Sequence, residues 1–315
     1  MQARQVFFTA LRRAEVREVE VPDPKADEVQ VRCLANGICM WEVSVFTGTA
    51  HADFPFAAGH EGVGVVTKIG RDVNGVREGD HVYCVAWADH ANLPAASLCV
   101  FRRPPADPVA ASIIEPAACV VNGLWYYEIT PADRAIVLGA GFMGLLNVQG
   151  LAHCPLAELA VTDVKPRNLE LARKCGATET VAPHTHEGRA RLAEMGKKPF
   201  DLVVETAGVA QTLAPAAELT RRGGRLAIFA WHHEPRTIDM NIWHDRGLKI
   251  LNASPSMGAD HRVNLIQRAI DLIECGVFDG RDLVSHRHPI EQIQEAMELA
   301  ALRPADYIKG ALTFG

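Results

Sequence analysis

Three short segments, far apart in the chain, carry side chains suited to a metal ion. They are Gly37-Ile38-Cys39-Met40-Trp41-Glu42, Gly59-His60-Glu61-Gly62 and Ile114-Glu115-Pro116. Zinc takes thiolate, imidazole and carboxylate ligands in tetrahedral geometry, and a catalytic zinc keeps one position open for water or substrate. Only His60 and Glu61 are neighbours in sequence, so spacing alone does not define a site. By residue type alone Cys39 reads first as a small apolar core residue.

A second constellation has a tighter pattern. Val137-Leu138-Gly139-Ala140-Gly141-Phe142-Met143-Gly144 is GxGxxG, placed directly after a short apolar strand and opening a helix. Gly139 permits a tight turn, Gly141 lets the backbone approach a pyrophosphate, and Gly144 lets helix and strand pack closely. The helix start at Phe142 and Met143 offers N–H groups and a positive dipole end to phosphates. Asp163 follows Gly144 by 19 positions, at the end of the next strand, where an acid binds ribose hydroxyls. Its charge would repel a 2′-phosphate, which favours NAD over NADP. Lys165 and Arg167, just beyond, carry the opposite charge.

The elements that must position these residues fall into two patterns. Up to about residue 115, short β-rich runs (28–33, 62–69 and 81–85) are separated by Gly, Pro and Asp. From Asp133 strands alternate with helices: strands at 135–138, 159–162, 200–205, 225–229 and 248–252, helices at 142–152, 166–175 and 211–220. Gly223-Gly224 is expected to stop the last of these helices. The alternation indicates a parallel sheet with helical crossovers. The tail holds two amphipathic helices, 263–275 and 290–301, and a closing strand at 311–314.

The bulk composition excludes several classes. A chain of 315 residues suggests about two domains. The formal net charge of -6 leaves no basic surplus for a nucleic-acid partner. No run of 18 apolar residues or signal peptide stands out, so no membrane span is expected and a cytoplasmic location is the default. The eight cysteines are scattered without a CxxC pair and are expected to be reduced and mostly buried.

The segments together resemble a known family. Gly59-His60-Glu61-Gly62-Val63-Gly64, followed by Val66, Gly70, Val73 and Gly79-Asp80-His81-Val82, is similar to the signature of zinc-containing medium-chain dehydrogenases. Asn36-Gly37-Ile38-Cys39 matches that family's cysteine-ligand segment, and Ile114-Glu115-Pro116 resembles its sorbitol and threonine dehydrogenase branch. The resemblance implies an α/β fold: a Rossmann doubly wound parallel sheet inserted in a GroES-like β-rich catalytic domain. It places the catalytic domain at 1–118 and 255–315 and the NAD-binding domain at 119–254. It assigns Cys39, His60, Glu61 and Glu115 to one catalytic zinc, and Ala207, in Glu205-Thr206-Ala207-Gly208, to the nicotinamide. It implies a homodimer or homotetramer, with edge pairing of the strand at 248–252 as the expected joint.

Three departures matter. Trp41 occupies the slot where a Ser or Thr hydroxyl usually passes on the substrate proton. Ser44 stands in the slot of a relay histidine. The four-cysteine lobe for a structural zinc is absent, so one zinc per chain is expected. Glu42 is placed to orient His60, or else is a surface carboxylate. The expected reaction is NAD-linked oxidation of a secondary alcohol, a sugar, cyclitol or other polyol, with Trp231, His232 and Trp41 as candidate substrate contacts. The alternatives are a zinc-free quinone or enoyl reductase of this fold, and a non-catalytic NAD-binding sensor or structural protein.

Overall fold

The computed structural model describes residues 1–253 and 259–315; the expected domain boundary at 254/255 lies outside the described residues. The chain divides into two compact units, Met1–Ala117 with Ala259–Gly315, and Ala118–Gly258.

The first unit begins with a hairpin, β1 (Gln2–Ala10) and β2 (Arg13–Glu20), whose Val6 and Phe8 are buried. β3 (Glu28–Gly37) is long and largely buried. α1 (Met40–Thr47) is capped at its start by Cys39 and stopped by Gly48 in the left-handed conformation. β4 (Phe56–Ala57) pairs with β1. β5 (Gly62–Ile69) pairs antiparallel with β3 and with β6 (His81–Cys84), and β7 (His90–Pro94) pairs with β3. In β5, Val63 and Val66 are buried on opposite sides of the pleat. α2 (Pro108–Ala111), with Asp107 as its cap and Pro at its first position, leads into α3 (Ile114–Tyr126). Pro108–Tyr126 is long and apolar enough to cross a bilayer, but 61% of its most apolar window is buried inside the protein, as in a core helix.

The second unit is a six-stranded parallel sheet. Its elements are β8 (Arg134–Leu138), α4 (Phe142–Ala152), β9 (Glu158–Thr162), α5 (Pro166–Lys174), β10 (Glu179–Val181) and α6 (His186–Gly196). β11 (Phe200–Glu205), α7 (Ala210–Leu219), β12 (Thr220–Ile228), α8 (Met240–Arg246) and β13 (Lys249–Asn252) follow. The order β10-β9-β8-β11-β12-β13 reverses direction between β8 and β11, the doubly wound arrangement. Contrary to the expectation from sequence, Gly223-Gly224 does not stop α7. The helix already ends at Leu219, and the glycines lie inside β12, where the pairing with β11 shifts register. Gly223 has φ +65°, so these glycines serve an irregular strand rather than a helix cap.

The chain then returns to the first unit with α9 (Ala259–Glu274), β14 (Val284–Pro289), α10 (Ile293–Leu302) and β15 (Lys309–Thr313). β15 lies between β14 and β3 and completes that sheet. Trp87, Phe8 and Phe46 anchor the core, with Phe8 edge-on to both other rings.

The glycine turn between β8 and α4 separates two roles. A Cβ on Gly144 would lie 2.1 Å from the Gly139 carbonyl oxygen, so the helix packs here only without a side chain. A Cβ on Gly141 would meet nothing within 4 Å; no protein atom explains that glycine. Gly144→Ala is therefore expected to destabilise the protein by about 1–3 kcal/mol, read by thermal melting. Gly141→Ala is expected to leave the melt unchanged and to weaken dinucleotide binding in titration calorimetry. A Gly141→Ala chain that bound NAD normally would contradict this division.

Candidate metal centre and dinucleotide site

In the first unit, β3 ends at Gly37 and the chain turns so that Cys39 caps α1. The Trp41 N–H donates to the Cys39 Sγ at 3.5 Å. The turn before β5 carries His60 and Glu61. Gly59 has φ +110°, and a Cβ there would stand 2.4 Å from the Trp87 backbone nitrogen, so only glycine admits this approach. Glu115 enters from the first turn of α3. Two overlapping groups result, Cys39 with Glu42 and His60, and His60 with Glu61 and Glu115; within each the ligand atoms lie within 4.8 Å of one another.

The charges around this centre are uneven. The thiol and three carboxylates are matched by two groups able to carry positive charge, His60 and Lys309. Glu42, 1% exposed, binds the His60 Nδ1 at 2.6 Å, which leaves Nε2 as the nitrogen for a metal. Glu42 is thus a buried orienting group and not a surface carboxylate. Burial alone would lower the pKa of His60, but the hydrogen bond and charge of Glu42, with Glu61 and Glu115, hold it up at about 9. Burial pushes the Cys39 thiol well up, Glu61 and Glu42 add to this, and Lys309 opposes it. Lys309 is buried, yet Glu61 and Cys39 keep its pKa above the ordinary lysine value. Its Nζ lies 2.5 Å from the Glu61 Oε2. A divalent cation fits such a donor set: it replaces the protons that the thiol and imidazole otherwise hold.

Two residues that sequence reasoning did not single out brace the centre. The Asn36 Oδ1 accepts from the Glu61 N–H at 3.0 Å and from the Trp87 Nε1–H at 3.1 Å. Its Nδ2 donates to the Ala86 carbonyl. Trp87 is fully buried and also donates to the Gly37 carbonyl. The short connection from β6 to β7 is thus tied to both ligand-bearing turns. The bare sequence offered one signal, a tryptophan inside a stretch otherwise poor in large apolar residues.

Other expected site residues are placed as follows. Trp41 is half-buried, with its ring centroid 6.4 Å from that of His60 and 5.5 Å from that of Phe56. The Ser44 hydroxyl donates back to the Met40 carbonyl within α1.

In the second unit, Gly141 caps α4 without a side chain, and Phe142, Met143 and Gly144 form the first turn. The Asp163 Oδ2 accepts from the Ala140 N–H at 2.7 Å, and its Oδ1 accepts from the Lys165 N–H and the Asn168 Nδ2. Three of roughly four acceptor sites on the carboxylate are filled, which fixes its position beside the glycine turn. Arg167 is exposed near the start of α5. Ala207 lies against Gly139, and its N–H donates to the Glu205 Oε1. His232 is held on both ring nitrogens. Its Nε2 lies 3.0 Å from the Glu205 Oε2, and its Nδ1 accepts from the Arg236 Nε. Trp231 is exposed and stacks on His233.

A β-rich unit with a thiol–imidazole–carboxylate centre, and a doubly wound unit with a glycine-turn dinucleotide motif, define a two-domain dehydrogenase. The alcohol dehydrogenase GroES-like domain model matches residues 25–102, and the zinc-binding dehydrogenase model matches residues 143–274. The chain belongs to the zinc-containing medium-chain dehydrogenase family. Among its relatives, D-arabinitol dehydrogenase 1 of Uromyces fabae is 25% identical, over 96% of this chain and 95% of that protein. The 5-exo-hydroxycamphor dehydrogenase of Pseudomonas putida is 29% identical, over 94% and 95%. Two solved structures share the fold with TM-scores of 0.86 at 23% identity, covering 99% of each chain. They are a zinc-binding dehydrogenase of Sinorhizobium meliloti bound to NADP and an alcohol dehydrogenase of Escherichia coli complexed with NADH.

Trp87→Phe keeps an aromatic ring but removes the donor to Asn36 and Gly37. Zinc affinity is expected to fall about 10–100-fold, as for other groups that orient metal ligands, measured by competition with a chelating dye. An unchanged affinity would mean that the brace does not set the ligand geometry.

Proposed function

We propose that this protein is a zinc-dependent, NAD-linked dehydrogenase that interconverts a secondary alcohol and its ketone. The observation that carries the reading is the partly buried Cys39–His60–Glu61–Glu115 centre with Glu42 fixing the His60 ring. A zinc held there would polarise the alcohol oxygen as a Lewis acid, while bound NAD takes the hydride from the carbinol carbon. The overall change is balanced: the alcohol loses a hydride and a proton, giving ketone, NADH and a free proton.

The chain's own residues supply the remainder. Glu42 keeps the Nδ1 side of His60 engaged, so the Nε2 lone pair is the one presented. Lys309 neutralises Glu61 and holds that carboxylate at the edge of the centre. The proton leaves through the carboxylates of Glu61 or Glu115, because Ser44 is committed to Met40 and Trp41 has no hydroxyl. Asp163 favours NAD, since its fixed carboxylate meets a ribose hydroxyl with attraction and a 2′-phosphate with repulsion. His232, bonded on both nitrogens, serves to hold the loop after β12 against Glu205. Among the described residues β13 leaves one edge of the parallel sheet unpaired, which fits pairing with a second copy in a homodimer or homotetramer.

The zinc-free reductase reading has no use for a thiol and three carboxylates around one imidazole. Cys39→Ser and Glu115→Gln are expected to lower alcohol-dependent NAD reduction about a thousandfold, equivalent to the several kcal/mol that a Lewis acid contributes. Full activity in both variants would refute the zinc mechanism.

A further inference from the structure

We propose that Trp41 and Phe56 form a dry aromatic flank to the metal centre that selects a secondary alcohol with an apolar body over a polyhydroxylated one. This rests on the dehydrogenase reading above and departs from the polyol expected from sequence.

The flank is built from the segment that follows the first ligand. Cys39 caps α1, and Trp41 lies two residues further on. Its indole stands at 75° to the His60 ring, with centroids 6.4 Å apart. It stands at 65° to Phe56, with centroids 5.5 Å apart. Both rings are partly buried and pack against the core of the first unit, beside Met40 and Phe54. A molecule bound next to His60 therefore has an indole, and not a hydroxyl, as its neighbour on this side.

The hydroxyl donors of the same segment are already engaged. Between residues 40 and 57 the side-chain hydroxyls are those of Ser44, Thr47 and Thr49. Ser44 donates to the Met40 carbonyl, Thr47 to the Val43 carbonyl and Thr49 to the Ser44 carbonyl. Glu42 is held by His60 and by the Gly59 N–H. His51 and Asp53 are fully exposed. A polyol placed against these rings would lose water from its hydroxyls beside faces that offer them no hydrogen bond. A hydrocarbon ring or branched alkyl group would lose nothing and cover aromatic surface. Rejection of an added hydroxyl by an apolar wall is about a hundredfold.

The test uses the zinc-loaded full chain and two alcohols of similar size, cyclohexanol and myo-inositol. The kcat/KM ratio for NAD reduction is expected to favour cyclohexanol about 100-fold. Trp41→Ser is expected to bring that ratio down at least tenfold with zinc content unchanged, and Trp41→Phe to preserve it. Titration calorimetry of both alcohols onto the same proteins gives a readout independent of turnover, with the same ordering expected in affinity. A wild-type preference for myo-inositol, or a ratio unmoved by Trp41→Ser in turnover and in binding, overturns the proposal. If neither alcohol is oxidised but binding still follows Trp41, the dehydrogenase reading fails and the aromatic flank stands.

Discussion

The crowding of a thiol and three carboxylates around one imidazole sets the terms for the first unit. Cys39, Glu42, Glu61 and Glu115 converge on His60, and Lys309 and the His60 proton offset them. Without a cation, that charge is contained by raising the thiol and holding the imidazole protonated. The surrounding architecture is what such a centre requires. β15 brings Lys309 to Glu61, Asn36 on β3 grips the Glu61 backbone, and Trp87 locks Asn36.

The second unit meets a different constraint, the approach of a ligand to backbone. Gly144 is demanded by the protein itself, because helix α4 presses on the Gly139 carbonyl. Gly141 is demanded by nothing in the protein, so its lack of a side chain points to what binds there. Asp163 bonds the Ala140 N–H of the same turn, so the acid and the turn form a single rigid element. Glu205 extends the same logic to the end of β11. Its Oε1 takes the N–H groups of Ala207 and Gly208, while its Oε2 faces His232.

Much of this was legible in the sequence where local rules dominate. The ends of β5, α4 and β11 coincide with the readings 62–69, 142–152 and 200–205, because valine-rich strands and a glycine-opened helix declare themselves locally. The hairpin β1–β2 was not legible: charged residues on both faces of β2 blur its alternation. Helix α3 hid behind its proline near the start. Gly223-Gly224 looked like a helix stop because a strand bulge and a cap use the same residue. The ligand segments were readable only through a family resemblance, since their approach is created by the β3–β5 pairing and by α3. Trp87, Asn36 and Lys309 as braces depend wholly on those long-range contacts.

The central claim is that one metal ion sits in a mixed sulfur, nitrogen and oxygen centre in the first unit. X-ray absorption at the zinc edge, on protein purified with zinc, tests it most directly. One sulfur at about 2.3 Å with the remaining nitrogen and oxygen ligands at about 2.0–2.2 Å is the expected shell. A shell of three or four sulfurs, or one with no sulfur, would contradict it.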